Sequence, residues 1–179
     1  MASNADTETS DPTTPTPPPL PTHTQTQTQT PTSTPTPRPR PLPPSYELRD
    51  GYPSIPEYLT LRATPNLTPK TAAQAIPALR GSWFGCYVVH KDTNTAVGMG
   101  RIIGDGGWYF HIVDMAVSTE HQRRGIGDAI MARLLARVRE VAPPGAWVSL
   151  LADPPGKRLY ARHGLVETAP GSVGMGVLV

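Results

Sequence analysis

The chain has 179 residues, with 16 Lys and Arg against 14 Asp and Glu, a formal net charge of +2. This near-balance argues against a broadly nucleic-acid-binding protein, whose domain would be strongly basic. A single cysteine, Cys86, excludes an intramolecular disulfide, and the apolar run around it predicts a buried structural thiol. Because the sequence has no apolar leader and no apolar run of about 18 residues, we expect a soluble cytoplasmic protein without a membrane partner. A nuclear location also stays open.

The first 44 residues differ sharply in composition from the rest. They contain 13 of the 23 prolines and 13 threonines in a repetitive pattern that is almost free of aliphatic side chains. Such a segment cannot offset the entropy cost of ordering, which predicts a disordered tail of polyproline II character. We interpret its end, PRPRPLPP, as a solvated spacer, with an SH3- or WW-type groove as the alternative partner. Residues 45–179 are then predicted to form one domain with a sizeable core.

The first elements predicted in this domain are a strand and a helix. Residues 58–62, YLTLR, alternate in polarity and predict a strand. Thr68 and Pro69 then suit the N-cap and first position of a helix, which Pro77 should kink or end.

Four apolar segments in the middle of the domain are predicted strands: residues 83–89, 96–103, 108–117 and 147–152. The first two are expected to form a hairpin. The third is long and almost continuously apolar, as a central strand should be. Apolar residues at helical spacing through residues 125–141 predict an amphipathic helix of about four turns.

A short helix near residues 155–163 is expected to end at Gly164, with His163 bonding the last carbonyl groups. Residues 165–168 and 174–179 are predicted to close the sheet as an antiparallel pair. The resulting order, β-α-β-β-β-α-β-α-β-β, predicts an α/β fold with a mixed, mostly antiparallel central sheet of about six to seven strands flanked by helices.

The stretch HQRRGIGDAI, residues 121–130, carries the first chemical signal. It opens the predicted long helix, where unpaired backbone N–H groups and the helix dipole attract anions such as phosphates. Its two glycines let the backbone approach a pyrophosphate, and its two arginines can bind an outer phosphate. Taken alone, the pattern fits an ordinary glycine turn with solvated arginines better than a ligand site.

Its neighbours change this interpretation. The stretch resembles the acetyl-CoA-binding motif Q/R-x-x-G-x-G/A of the GCN5-related N-acetyltransferase superfamily. As in that family, it follows an apolar strand, here ending at Val117, and it precedes a long helix and another strand. Residues 153–160, DPPGKRLY, then look like the family's N-x-x-A-x-x-x-Y, and LYARHGL looks like its Y-x-x-x-G-F. The resemblance spans roughly residues 58–179, a GNAT-like fold.

The resemblance implies a set of site residues and no metal. Acetyl-CoA would be bound by the backbone N–H groups of the strand end and by the glycine turn: Met115, Ala116, Val117, Gln122, Arg123, Arg124, Gly125, Ile126 and Gly127. Asp153, where the family has asparagine, would be a further cofactor contact that this change puts in doubt. Gly156 and Leu165 also depart from the family's alanine and phenylalanine. Tyr160 keeps the family's tyrosine, which implies the role of general acid toward the leaving thiolate.

The base or amine anchor stays open between two residues. Asp114 interrupts an apolar strand, where a carboxylate is costly unless it is satisfied or useful. It would bind the acceptor ammonium or accept its proton through water. His111 has the better pKa for a base, but it lies on the opposite face of an unbulged strand. A bulge of the family type would change that.

The predicted function is transfer of an acetyl group from acetyl-CoA to a primary amine of a small molecule, directly within a ternary complex. The acceptors considered are an arylalkylamine, an aminosugar and a polyamine. The alternatives are a protein lysine or N-terminal acetyltransferase, a non-catalytic acyl-CoA-binding module and a Pro-rich adaptor. The sequence leaves a homodimer open.

Overall fold

The computed structural model describes residues 40–63 and 67–178. Their centre is a five-stranded sheet whose strands lie side by side in chain order. The strands are β1 Tyr46–Asp50, β2 Phe84–His90, β3 Thr95–Gly104, β4 Tyr109–Val117 and β5 Trp147–Leu150. Neighbours from β1 to β4 pair antiparallel, and β5 pairs parallel to β4. The predicted mixed α/β fold is confirmed, with five strands in the described sheet instead of six to seven.

The helices cover both faces of this sheet. They are α1 Ile55–Arg62, α2 Ala72–Arg80, α3 Ile126–Val141 and α4 Lys157–Arg162. The main core joins α3 to one face, which includes Ile102 of β3, whereas a second cluster joins α1 and α2 to Met99 of the same strand. Because Met99 and Ile102 lie an odd number of residues apart along a strand, the two clusters occupy opposite faces. No helix in the described ranges is long and apolar enough to cross a membrane.

The predicted strand at residues 58–62 is wrong, because these residues belong to α1. Ser54 and Glu57 form a capping box at the helix start, each side chain bonded to the other residue's backbone. Tyr58, Leu61 and Arg62 are buried on one side of the helix. Their spacing of three and four residues fits a helix face, whereas the sequence analysis saw only the short alternation.

The predicted helix after residue 68 exists, but it begins later. Thr71 is the N-cap of α2 and forms a capping box with Gln74. The helix also continues past Pro77 to Arg80, so the proline does not end it. Pro77 lies inside the helix at a position whose missing N–H leaves one carbonyl of the first turn without its usual donor.

The two predicted closing strands are wrong for the residues that the structure describes. Residues 165–168 and 174–178 run outside the sheet, and β5 pairs with β4 alone in the described part of the chain. Pro170 and three glycines, at 171, 174 and 176, interrupt this region, which disfavours a regular strand. The first strand, β1, was missed because its charged residues obscure the alternation of Tyr46 and Leu48.

The predicted tail lies outside the described residues, apart from residues 40–44. In that short segment the Arg40 backbone N–H donates to the Asp128 carboxylate at 2.9 Å. Leu42 packs against the main core. The Tyr46 N–H then bonds the Pro43 carbonyl at 2.9 Å, which leads the chain into β1. Residues 40–44 therefore contact the folded domain.

Candidate active site

A bulge in β4 organises the site. Asp114 and Met115 together oppose Gly100 of β3, and Asp114 adopts a left-handed conformation with φ of 56°. Phe110 and Ile112 belong to the main core on the α3 face, and so does Met115 after the bulge. The extra residue therefore places Asp114 on the α1/α2 face, the face that His111 also occupies. The bulge that the sequence analysis named as a condition is present.

The strands β4 and β5 separate beyond this point. Their pairing ends at Ile112 and Leu150, whereas β4 continues to Val117. The side chains of Met115, Ala116 and Val117 pack in the two cores. Their backbone groups are therefore what these residues can offer to a ligand in the gap beside β4. The resemblance assigns the same backbone groups to the acetyl and pantetheine parts of the donor.

The glycine turn lies directly after β4. Gln122 fastens the turn to the strand, since its side-chain amide donates to the Val117 carbonyl at 3.1 Å. Arg123 is exposed and left-handed, with φ of 62°. Arg124 is held by the Tyr46 hydroxyl and the Glu120 carbonyl, both at 3.2 Å. Both arginines are exposed, but among the described contacts only the Arg124 side chain is held by hydrogen bonds.

The start of α3 fits a phosphate group. Gly125 is the N-cap, with φ of 84°, a conformation that L side chains rarely adopt. Among the described residues, no side chain caps this helix end, which leaves its first N–H groups available to an external acceptor. Ile126 is buried and anchors the turn, and a methyl group on Gly127 would touch Leu159 at 3.3 Å. Among the described residues, no group of three or more His, Cys, Asp or Glu is arranged to hold a metal ion.

Tyr160 lies half-buried on α4, with its ring against the backbone of Gly156. A methyl group at Gly156 would approach the Tyr160 ring to 2.7 Å, which is closer than carbon atoms come in proteins. Burial raises the pKa of the Tyr160 hydroxyl, and the charge of Asp153 raises it further. Asp153 is exposed at the start of the short 3-10 turn Pro154–Gly156. The phenol is therefore protonated at neutral pH and able to donate a proton.

Asp114 is the centre of a buried polar cluster. It accepts hydrogen bonds from the Tyr58 hydroxyl and from Arg101, each at 2.5 Å, and it pairs closely with Arg62. Burial acts to raise the pKa of Asp114, but the bonds from Tyr58 and Arg101 and the two guanidinium charges outweigh it and hold that pKa below its ordinary value. These partners were not predicted, because residues 58–62 were predicted to form a strand and no local pattern links Arg62 to Asp114.

His111 lies in a different environment. Its Nδ1 is 2.8 Å from the Ser149 hydroxyl of β5, and burial lowers the pKa of the imidazole. His111, Ser149 and Tyr160 all line one cavity of about 1230 Å³. Val148 and Leu150 line it too, so it extends around both sides of β5 at the strand's free edge. Of the three predicted catalytic residues, His111 and Tyr160 line this cavity, and Asp114 is absent from its described lining.

A sheet that opens between its parallel strands, a glycine turn at the start of the following helix and a tyrosine on the next one define the class of acyl-CoA-dependent acetyltransferases. The pattern of the acetyltransferase (GNAT) domain matches residues 82–167. A probable acetyltransferase from meticillin-resistant Staphylococcus aureus is 34% identical, with a TM-score of 0.70 over 75% of this chain and 99% of that one. The chain belongs to the GCN5-related N-acetyltransferase family, which uses acetyl-CoA.

Two further solved structures are similar to this chain. A Mycobacterium tuberculosis protein, solved in complex with CoA, is 25% identical, with a TM-score of 0.54 over 69% of this chain and 75% of that one. Glucosamine-6-phosphate N-acetyltransferase from Arabidopsis thaliana shares the fold, at 14% identity and a TM-score of 0.58 over 74% of this chain and 97% of that one. A comparison with curated proteins gave no match.

Proposed function

We propose that this protein is an N-acetyltransferase that moves the acetyl group of acetyl-CoA to a primary amine of a small molecule, directly within a ternary complex. The observation that carries the proposal is the cavity lined by both His111 and Tyr160. Family membership supports the acetyl transfer, and the M. tuberculosis relative solved with CoA supports the donor.

The donor supplies an activated thioester, and the chain supplies the groups that hold it. The open N–H groups after Gly125 bind the pyrophosphate, where the positive helix end favours anions. Arg123, exposed beside them, adds a charge-assisted bond to a phosphate oxygen. Backbone N–H groups of β4 between Asp114 and Val117 bind the pantetheine arm and polarise the acetyl oxygen.

Tyr160 supplies the proton that the leaving thiolate needs. As the amine nitrogen bonds to the acetyl carbon, the carbon–sulfur bond breaks and the sulfur takes the Tyr160 proton. Because burial and Asp153 raise the pKa of Tyr160, the hydroxyl keeps its proton until this step. The amine loses one proton in exchange, and a base must receive it.

His111 is the better base of the two candidates. Its lowered pKa keeps the imidazole neutral at physiological pH. When Nδ1–H donates to Ser149, the other ring nitrogen carries the lone pair that accepts the proton. Asp114 is the weaker candidate because its carboxylate is already occupied by Tyr58, Arg62 and Arg101. We assign it to holding the bulge.

The cavity lining favours an arylalkylamine or an aminosugar over a polyamine. Tyr109 and Trp147 offer aromatic surface there. Lining residues with a full charge are Arg139, Lys157 and Glu167, and Glu167 is paired with Lys157 at 2.8 Å. A polycation would therefore meet no unpaired carboxylate among the described lining residues, whereas a neutral acceptor body is compatible with this lining.

The test is thiol release from acetyl-CoA with a panel of arylalkylamines, aminosugars, polyamines and lysine or N-terminal peptides. We expect release with an amine of the first two groups and a loss of about 10²- to 10⁴-fold in kcat for Tyr160→Phe. Release with peptides alone would instead assign a protein acetyltransferase. Binding of acetyl-CoA without release by any acceptor would favour the non-catalytic module, and absence of acetyl-CoA binding would overturn the proposal.

A further inference from the structure

A buried carboxylate–imidazole pair lies outside the groups that the proposed chemistry uses. Asp128 is in the first turn of α3, three residues after the N-cap Gly125, and His163 is the C-cap of α4. Their side chains are 5% and 4% exposed, and His163 Nε2 is 3.0 Å from Asp128 Oδ1. A carboxylate accepts hydrogen bonds, so Nε2–H donates. This pair was not predicted from the sequence, where His163 was expected to bond helix carbonyl groups.

This pair adds polar bonds to a short helix that otherwise packs through Tyr160 on the main core and through Leu159 near Gly127. The helix α4 has only six residues, and no side chain of the described residues caps its start. Among the described residues, the side-chain bonds that join α4 and its C-cap to another helix come from Arg162, at 3.4 Å, and His163, and both end at Asp128. The exposed Lys157–Glu167 pair joins α4 only to the segment that follows it.

Asp128 is also fixed on its other side. Its Oδ2 accepts the Arg40 backbone N–H at 2.9 Å, so both carboxylate oxygens have donors. An acidic residue in the first turn suits the helix dipole, but a buried carboxylate is tolerated only when such partners satisfy it. The carboxylate is therefore a rigid junction between α3 and α4.

Each residue of this pair lies next to a group of the proposed site. The His163 N–H bonds the carbonyl of Tyr160 at 3.0 Å, so His163 lies one turn after the proposed acid. Asp128 directly follows Gly127, where Leu159 of α4 approaches α3 closely. A displacement of α4 against α3 would thus move the phenol relative to the turn that holds the donor.

We propose that Asp128 and His163 are positioning residues that set the distance between Tyr160 and the coenzyme-A-binding turn, an inference that rests on the proposed function. His163 lines the cavity, but its side chain is almost fully buried against Asp128, which is absent from the described lining. The two side chains therefore act on the site through the two helices that they join. Misplacement of a reacting group by about 1 Å is enough to cost up to about 10²-fold in rate.

The test is a double-mutant cycle with His163→Leu and Tyr160→Phe in the full chain. His163→Leu removes the donor, and we expect kcat to fall about tenfold or more while KM for acetyl-CoA changes by less than about twofold. His163→Gln, whose amide N–H reaches about the Nε2 position, should restore most of the rate. In the Tyr160→Phe background, His163→Leu should cost nothing further, because the group that it positions is already absent.

The outcomes separate the two proposals. An equal fractional loss of kcat from His163→Leu in both backgrounds would overturn the positioning role and leave the proposed function standing. No effect of Tyr160→Phe itself would overturn the acid assignment of the proposed function. If His163→Leu does not fold, as judged by thermal melting, Asp128→Asn takes its place in the cycle with the same expectations, because it keeps the shape and weakens the bond to His163.

Discussion

At the scale of single residues, the contact between Tyr160 and Gly156 shows how a departure from the family pattern is accommodated. The resemblance would place alanine at position 156, but a methyl group there would press on the Tyr160 ring at 2.7 Å. The glycine and the observed ring position therefore belong together. The departure that put the motif in doubt at the sequence level has a local steric explanation.

Gly156→Ala tests this contact. The added methyl should force the Tyr160 ring to rotate, and we expect kcat to fall about tenfold or more with KM for acetyl-CoA unchanged. Gly107→Ala is the matched control, since its methyl would meet only Asp105 at an ordinary 3.6 Å. Steady-state kinetics on both variants decide the matter, and a wild-type kcat for Gly156→Ala would show that the ring is not held by this contact.

His111 and Asp114 should differ in the pH dependence of the reaction. Burial lowers the pKa of His111 from 6.5, so kcat should fall as pH drops below that value and the imidazole takes up a proton. His111→Gln should lose this acid limb. Asp114→Asn should keep it, because the pKa of Asp114 is already held below its ordinary value.

The measurement for this pair is the kcat profile from about pH 5 to about pH 9, with an acceptor whose own amine does not titrate in that range. An unchanged acid limb in His111→Gln would remove His111 from the base role.

At the scale of elements, residues 40–44 connect the Pro-rich region to the folded domain. Arg40 bonds Asp128 of α3, and Leu42 packs on the main core. These five residues are part of the PRPRPLPP pattern. An SH3- or WW-type partner that binds the whole pattern would therefore compete with the contacts of Arg40 and Leu42. The segment is therefore similar to the tail in composition, but it makes contacts with the folded domain.

Two deletions separate these roles. Removal of residues 1–39 keeps the Arg40 and Leu42 contacts, whereas removal of residues 1–44 eliminates both. We expect the longer deletion to lower the free energy of unfolding by about 2 kcal/mol relative to the shorter one, from a lost bond to a buried carboxylate and a lost half-buried leucine. Urea denaturation of both proteins provides the measurement. Equal stabilities would mean that these contacts contribute nothing.

At the scale of the whole molecule, the titratable groups predict an acid-sensitive fold. Burial lowers the pKa of His111 and, together with His90 and Arg124, that of His121. The pKa values of Asp114 and Glu57 are also held below their ordinary ranges. In every case the folded state binds fewer protons than the unfolded state in the affected pH range, so stability falls as pH falls.

We therefore expect the free energy of unfolding to decrease in two stages on acidification. The histidines act first, below their ordinary value of 6.5, and the carboxylates act below about pH 4. Denaturant titrations at a series of pH values measure this, and His111→Gln should reduce the first stage. A stability that stays constant from about pH 7 to about pH 5 would contradict the assignment of the histidines.

The features that depend on neighbours along the chain could be predicted from the sequence. The apolar strand before the glycine turn, the amphipathic helix after it and the Tyr160 segment are all local patterns, and together they predicted the class of fold and the donor. The strand predicted at residues 58–62 is part of α1, because short alternation fits either a strand or a helix. The closing strands were predicted across a region that Pro170 and three glycines interrupt.

Which polar groups contact one another depends on the three-dimensional packing of the chain. Arg62 and Asp114 are 52 residues apart in sequence, and Asp128 and His163 are 35 apart. One extra residue in β4 places Asp114 on the other face of the sheet, where it forms ion pairs with Arg62 and Arg101. Such pairings follow from the packing of helices on a bulged sheet, and no local spacing encodes them. The sequence therefore predicts acetyl-CoA as the donor, whereas the choice between His111 and Asp114 as the base depends on the fold.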